Sequence, residues 1–480
     1  MMTYTRTLWM EPRFCRVVTG VLLLGYAVLV AVLMQRNEVG LDEPFSLCYS
    51  QLPIPQLINF LNTGNNPPLY ELILHGLHSL GWSDLWVFRS FSLLCTLGSG
   101  LLLYRLAHNW FGRPWLALLA LTFFLFNDYE LYFAQEVRTY ALLQLLVLAH
   151  VSVMQHLSDH PLASVWGWML WTVVGILLGY THYFGWLVMA MEAVWLLRLV
   201  PVLQRPRLWT SLGVLVLGLA PQAWVMVQRF WVEAHGTSWL APPRWDSWFE
   251  LVHHFSTRTW VAAIALLALA LALVPAWLDR PLQPHSLGFL AWWFWLPLVG
   301  TFLVSFWMPV FHNRYLIIIA PAFYLSLVHG ISKPFVPLPG LVRHLRWVLP
   351  ALFVVGCHYR IDNTCRFREV SLDLHEYAPH MPVVVHPAWR ALNLMYYQNP
   401  SSRGCGPALD SLNPRIFAAY GPSDLTPLLQ HDTLAYLFGE GQPNLEQEPI
   451  ARALARTHRL TQVMHYKGRE TLSIWVRTKP

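Results

Sequence analysis

Charge is what this sequence has least of. Only 12% of its 480 residues are Asp, Glu, Lys or Arg, roughly half the share of an ordinary soluble domain, so a string of water-soluble domains is excluded. Cysteine is scarce too. The six present form no CxxC pair and no His/Cys cluster with zinc spacing, which excludes a dense disulfide framework and a structural zinc module. No glycine-rich nucleotide cradle occurs, and this disfavours ATP or a soluble nucleotide sugar as substrate. Internal repeats and low-complexity tracts are absent as well.

What fills the chain instead is apolar: 55% of residues are hydrophobic, 25 are tryptophan, and they come in long blocks. A membrane-spanning helix takes about twenty mostly apolar residues. Candidate spans are Val17–Met34, Leu85–Leu106, Trp115–Phe126, Tyr140–Met154, Val165–Tyr180, Trp186–Val200, Leu208–Val227, Trp260–Trp277, Leu287–Trp307, Tyr315–Val328 and Trp347–Cys357. The expected fold is an α-helical polytopic membrane protein of about 11 transmembrane helices. Asn66–Leu80 is apolar but short and reads as a re-entrant or interfacial helix.

A net charge of +6 would suit nucleic acid in a soluble chain, but here the basic residues mark loops. Arg6, Arg13 and Arg16, then Arg113, then Arg198, Arg205 and Arg207, then Arg280, and last Lys333, Arg343 and Arg346 fall at alternate span ends. All are cytoplasmic if the N-terminus is inside. The first span is long for a signal-peptide core and lacks a small-residue cleavage site, so it reads as an anchor. An odd number of spans leaves the chain beyond about Tyr359 outside. The expected organisation is therefore a transmembrane domain over 1–358 and a small extracytoplasmic α/β domain over 359–480, in the plasma membrane. Within the tail, "MPVVVHPAWRALNLMYY" reads as strand, loop and amphipathic helix, "DTLAYLF" as a strand, and "LTQVMHYKGRETLSIWVR" as a hairpin turning at Lys467-Gly468. Cys15, Cys95 and Cys357 sit in or near spans as core residues. Cys365 and Cys405 share the outer tail, where a disulfide is permitted, although spacing does not supply their separation.

On this topology the unusual polar residues fall on the outer face. Asp42 and Glu43 open the first outer loop in "VGLDEPFSL", and "NNPPLY" follows with Asn66. "NDYELYFAQEVRTYALL" carries Asp128, Glu130, Glu136 and Arg138 into the fourth span. "YTHYFGW" sets His182 and Tyr183 at the third outer turn, and "FHNRYLIIIAPA" sets His312, Asn313, Arg314 and Tyr315 at the outer end of the tenth span. Each has a bland reading. Arg138 and Arg314 would snorkel to headgroups, His182 and Tyr183 would form an interfacial aromatic pair, Asp42-Glu43 a solvated turn, and "NNPPLY" a helix entry. Glu192 lies within the sixth span and must be protonated or paired, a structural or transport candidate. Carboxylates, a histidine and two arginines on one face favour a site. The chemistry that suits them is transfer from a lipid-anchored phosphate donor, with a carboxylate as general base and arginines neutralising the departing phosphate.

The ordered set "LDEPFS", "NNPPLYELILHGL", "YFAQEVRTYALLQLL", "THYFGWL" and "NRYLIIIAPAFYL" resembles the GT-C glycosyltransferases. It is most similar to the protein-mannosyltransferase-like group (glycosyltransferase family 39-like) that includes aminoarabinose and galacturonate transferases of lipid A. The resemblance spans roughly Val17 to Gly330 and touches the tail only loosely. It implies a membrane glycosyltransferase that moves a sugar from a polyprenyl-phosphate donor to a lipid, glycan or protein acceptor at the outer face, inverting the anomeric centre. The family's acidic first-loop residue falls on Asp42, beside Glu43, and its second-loop carboxylate and arginine fall on Glu136 and Arg138. Its late arginine-tyrosine falls on Arg314 and Tyr315. Asp42 is expected to be the base facing the acceptor, with Glu43 orienting it or holding a sugar hydroxyl. His182, Tyr183 and Asn66 join the donor and substrate contacts. No DxD stands in either loop, so a divalent cation is left open, and no cofactor is called for. Two rivals remain at this point: a transporter or flippase for a lipid-linked or small solute, and a catalytically dead binding member of the same fold.

Overall fold

In a computed structural model of the chain, the described residues are 12–40, 42–63, 66–160, 164–233, 242–273, 284–332, 339–357, 366–398, 415–439, 443–467 and 470–478. The chain forms two compact units. The first comprises Met1–Val32, Leu61–Tyr70 and Arg89–Tyr359, the second Leu33–Phe60, Glu71–Phe88 and Arg360–Pro480.

Helices dominate, and one occupies each of the stretches expected to span. The chain opens with α1 (Pro12–Arg36), roughly 37 Å long at 1.5 Å per residue, followed by the short α2 (Glu43–Tyr49), α3 (Ile54–Thr63) and α4 (Leu69–Ser79). Next come α5 (Leu85–Phe111), α6 (Pro114–Leu125), α7 (Asp128–Phe133), α8 (Tyr140–Asp159), α9 (Val165–Gly179), α10 (Phe184–Leu199) and α11 (Arg205–Glu233). After them stand α12 (Ser247–Ser256), α13 (Thr259–Leu273), α14 (Pro284–Val304), α15 (Ala320–Ser332) and α16 (Pro339–Gly356). Among the described residues six helices are long and apolar enough to cross a membrane, and three shorter ones are apolar.

Two kinds of helix surface organise the first unit. The span Tyr315–Ser332 is 94% buried, whereas Arg205–Arg229 is 22% and Arg13–Arg36 28% buried. A helix apolar all round belongs either in a core or in lipid. The α15 helix is the first case, packed among α6, α13, α14 and α16, with the nearby Trp293 Nε1–H donating to Ile318 O at 2.8 Å. The α1 and α11 helices are the second: Val21, Leu24, Leu217 and Trp224 stand exposed on them, which suits hydrocarbon. Pro221, Pro297 and Pro350 lie inside α11, α14 and α16, a placement that membrane helices tolerate.

The second unit holds the tail. Its sheet has the order β2-β1-β3-β5-β4, with β1 (Val383–His386), β2 (Ile416–Ala418), β3 (Thr433–Phe438), β4 (His458–His465) and β5 (Thr471–Arg477). The first three are parallel and the last two pair antiparallel, so the hairpin, the "DTLAYLF" strand and the strand-loop-helix segment form as the sequence suggests. Both faces of β1 are covered, which is why three valines run together. Val383 and Val385 face Phe367, Val370 and Leu394 of α17 (Phe367–Tyr377) and α18 (Ala391–Gln398). Val384 faces the opposite core with Leu434, Tyr436 and Trp475, closed by Ile450 and Leu454 of α19 (Pro449–Leu454). Cys15, Cys95 and Cys357 are buried. Cys48 on α2 is disulfide-bonded, a feature the spacing of the cysteines does not reveal. Cys365 and Cys405 lie outside the described residues.

Candidate functional site

The acidic pair of the first loop belongs to the second unit. Asp42 stands half-buried at the N-cap of α2, and Glu43 opens that helix with Pro44 behind it, where a fixed φ favours the first turn. Glu43 is buried, and its Oε2 accepts the Gly40 N–H at 2.6 Å. One carboxylate of the pair is thus engaged in shaping the turn, while its neighbour is the more accessible. Beside α2 lies a second buried acid: Ser46 Oγ–H donates to Glu71 Oε1 at 3.0 Å. Glu71 belongs to the "NNPPLYELILHGL" block, whose prolines draw attention as a helix entry while the carboxylate passes unnoticed.

The other expected residues belong to the first unit, on separate connections. Asn127 caps α7 by accepting the Tyr129 N–H at 2.9 Å, and its amide donates to Phe255 O. That start fixes the segment carrying Glu136 and Arg138. Glu136 is buried and its Oε1 accepts the Tyr132 hydroxyl at 2.9 Å. Ser92 Oγ–H donates to the Glu136 carbonyl at 2.7 Å, with the Tyr70 hydroxyl 3.3 Å from the same Oγ. Thr139 then donates to Thr181 O at 3.1 Å, which ties the segment to the turn between α9 and α10.

That turn carries His182. It is buried, and its Nδ1 accepts the Phe184 N–H at 3.1 Å. In a neutral ring the proton then sits on Nε2. Burial, and after it the Arg138 charge, pull its pKa down to about 3, so the imidazole is neutral near pH 7. Nε2 is shielded from water and has no hydrogen-bond partner among the described residues. The Tyr315 ring lies 5.2 Å from the His182 ring and 5.4 Å from that of His312. Arg314 donates its backbone N–H to Asn313 Oδ1 at 2.8 Å, and the Asn313 carbonyl accepts the Tyr129 hydroxyl at 2.7 Å. Asn66 is buried where the chain enters α4, and there Leu69 N–H donates to Tyr180 O at 2.9 Å.

The first unit therefore brings together Arg138, His182 and Tyr315, with Glu136 and Asn66 on connections bonded to the same segments. Tyr183 goes elsewhere: its hydroxyl accepts from Gln222 Nε2 at 2.8 Å on α11. Tyr132 is a partner that the sequence offered only as one aromatic among many. Glu130 is drawn inward, where Gln144 Nε2 and the Tyr324 hydroxyl both donate to its Oε1 at 2.9 Å. Burial outweighs those bonds and pushes its pKa up to about 8. Glu192 is fully buried and accepts from Trp171 Nε1 at 3.0 Å. His150 Nδ1 is 2.8 Å from the same oxygen, within ion-pair reach though off hydrogen-bond geometry. Among the described residues no group of three or more His, Cys, Asp or Glu is placed to hold a metal ion. A cation beside a neutral N–H donor and a phenol can grip an anionic oxygen.

No protein-family model and no curated protein matches the sequence. Solved structures do share the fold. ArnT from Cupriavidus metallidurans, solved bound to undecaprenyl phosphate, has 14% identity and a TM-score of 0.58 over 97% of this chain and 98% of that one. The arabinofuranosyltransferase AftD from Mycobacteria has 12% identity and a TM-score of 0.50 over 98% of this chain, but over only 40% of its own length. The chain shares the fold of ArnT over nearly the whole of both chains, and that of part of AftD.

Proposed function

We propose that this chain is a membrane glycosyltransferase that takes a sugar from a polyprenyl-phosphate donor and passes it, with inversion, to a lipid, glycan or protein acceptor at the outer face. The observation that carries it is the end-to-end likeness to ArnT, a structure that holds undecaprenyl phosphate. The Arg138–His182–Tyr315 cluster supports it with the chemistry of phosphate recognition. Arg138 meets the donor phosphate and stabilises the charge that grows as the sugar leaves. His182, neutral, gives a hydrogen bond through Nε2 without adding charge. Arg314 shares the phosphate, Asn66 adds a substrate contact, and Glu136 is a second catalytic carboxylate, while Tyr183 stands outside the cluster on its bond to Gln222. Asp42 takes the proton of the attacking hydroxyl, and Glu43 holds the turn on which it sits.

The disulfide at Cys48 supports an outer position for the first loop, since disulfides persist in oxidising compartments. With the N-terminus in the cytoplasm, the acidic loops and the tail then lie outside. The test is made in a deletion strain. Its extracted lipids and surface glycans, analysed by mass spectrometry, should lack one sugar and accumulate the matching polyprenyl-phosphate sugar, and the wild-type chain should restore both. Unchanged glycans together with an unchanged donor pool would count against the proposal.

A further inference from the structure

The segment that leaves α1 and delivers Asp42 is tied to the tail at successive residues. Glu38 accepts a hydrogen bond from the Arg368 backbone at the start of α17. Val39 N–H donates to Tyr397 Oη at 2.8 Å. Gly40 O accepts from Asn393 Nδ2 at 3.3 Å, and Gly40 N–H returns to Glu43 Oε2. Both Tyr397 and Asn393 lie on α18, which packs directly on α2.

From this we infer that α18 is a brace for the transfer reaction, with Tyr397 and Asn393 as positioning residues that set where the Asp42 carboxylate stands. The inference rests on Asp42 being the base, as proposed above. Its physical case is the kind of contact made. Apolar packing alone would join tail and loop without fixing the loop's backbone. Here two side chains of one helix grip the backbone of two consecutive residues, Val39 through its N–H and Gly40 through its carbonyl, shortly before the N-cap. Val39 is 3% and Asn393 1% exposed, so water is a poor replacement for the bond at the Val39 N–H once it is lost. A base must stand within hydrogen-bond reach of its proton, and a shift of about 1 Å can cost roughly a hundredfold in rate. The loop's own tie, Gly40 N–H to Glu43 Oε2, closes the turn but does not anchor it to a longer element.

The test uses the full chain in lipid nanodiscs, with turnover read as undecaprenyl phosphate released from a membrane lipid extract of the host. Tyr397→Phe removes one oxygen, Asn393→Ala removes the second grip, and Asp42→Asn runs beside them. Tyr397→Phe should speed amide exchange in the peptide spanning Val39 to Glu43. It should also lower kcat per folded molecule about tenfold, with the apparent KM within about twofold of wild type. Asn393→Ala should do the same if it folds, and Tyr397→Phe decides the matter if it does not. Wild-type kcat in Tyr397→Phe, with Asp42→Asn inactive, would overturn the brace and leave the transferase standing. Full turnover in Asp42→Asn would remove the base and the brace with it.

Discussion

Arg138 carries the most specific expectation at the scale of single residues. Its guanidinium can hold two phosphate oxygens in one plane, which a lysine's point charge does not reproduce. Arg138→Lys should therefore weaken donor use with charge conserved, and Arg138→Ala should weaken it further. A charge-assisted contact is worth roughly 1.5–3 kcal/mol, or about a tenfold to hundredfold loss in kcat/KM. Equal kinetics for Arg138→Lys and wild type across donor concentrations would show that the arginine only snorkels. Glu130 gives a prediction of another kind. Its carboxyl stays protonated in the fold up to about pH 8, but only to about 4.5 once exposed. The folded chain then binds more protons over that window, so this group's contribution falls as pH rises through it. Glu130→Gln keeps an acceptor for Gln144 and Tyr324 and cannot ionise. Its thermal stability should fall less than wild type's between pH 5 and about 8, and an unchanged slope would assign the effect elsewhere. Asp42, Glu43, Glu136 and Arg138 stand out in the sequence because charge is rare and their neighbours are apolar. Tyr397 and Asn393 do not, since nothing in a sequence pairs Val39 with a tyrosine 358 positions away.

Helices α8, α9 and α10 meet around the buried His150, Trp171 and Glu192. Gly175 makes that meeting possible: a Cβ there would stand 2.9 Å from His150 Nε2 and 3.0 Å from a Leu215 methyl. Gly175→Ala should thus overpack the junction and lower stability by about 1–3 kcal/mol, read as a reduced melting temperature in detergent. Glu192→Gln keeps the acceptor for Trp171 and should leave sugar transfer near normal. A transporter coupled through Glu192 would instead lose its activity in that variant. Elements were legible to different degrees for physical reasons. Spans declare themselves by length and apolarity, and β4 with β5 by their alternation around a turn. The strand β2 is only three residues, Ile416–Ala418, and owes its pairing to the valines of β1 rather than to any pattern of its own. Cys48 gives no sign of its bond, because a cysteine in a short apolar helix reads as core.

At the scale of the whole molecule the orientation comes first. The basic clusters alternate with acidic connections, and a reporter fused after Pro480 should be active only when its requirement is the outer compartment. Activity confined to the cytoplasm would invert the topology and remove the site with it. The fold is shared where sequence identity is low: the likeness to ArnT holds over 97% of this chain at 14% identity. The measurement that bears most directly on the function is donor turnover by the purified chain in nanodiscs. Wild type should release polyprenyl phosphate from a polyprenyl-phosphate sugar in the presence of a membrane lipid extract, and Asp42→Asn should do so at least about a hundredfold more slowly while remaining folded. Release at equal rates by wild type and Asp42→Asn, or no release by wild type from any of the host's own polyprenyl-phosphate sugars, would contradict it.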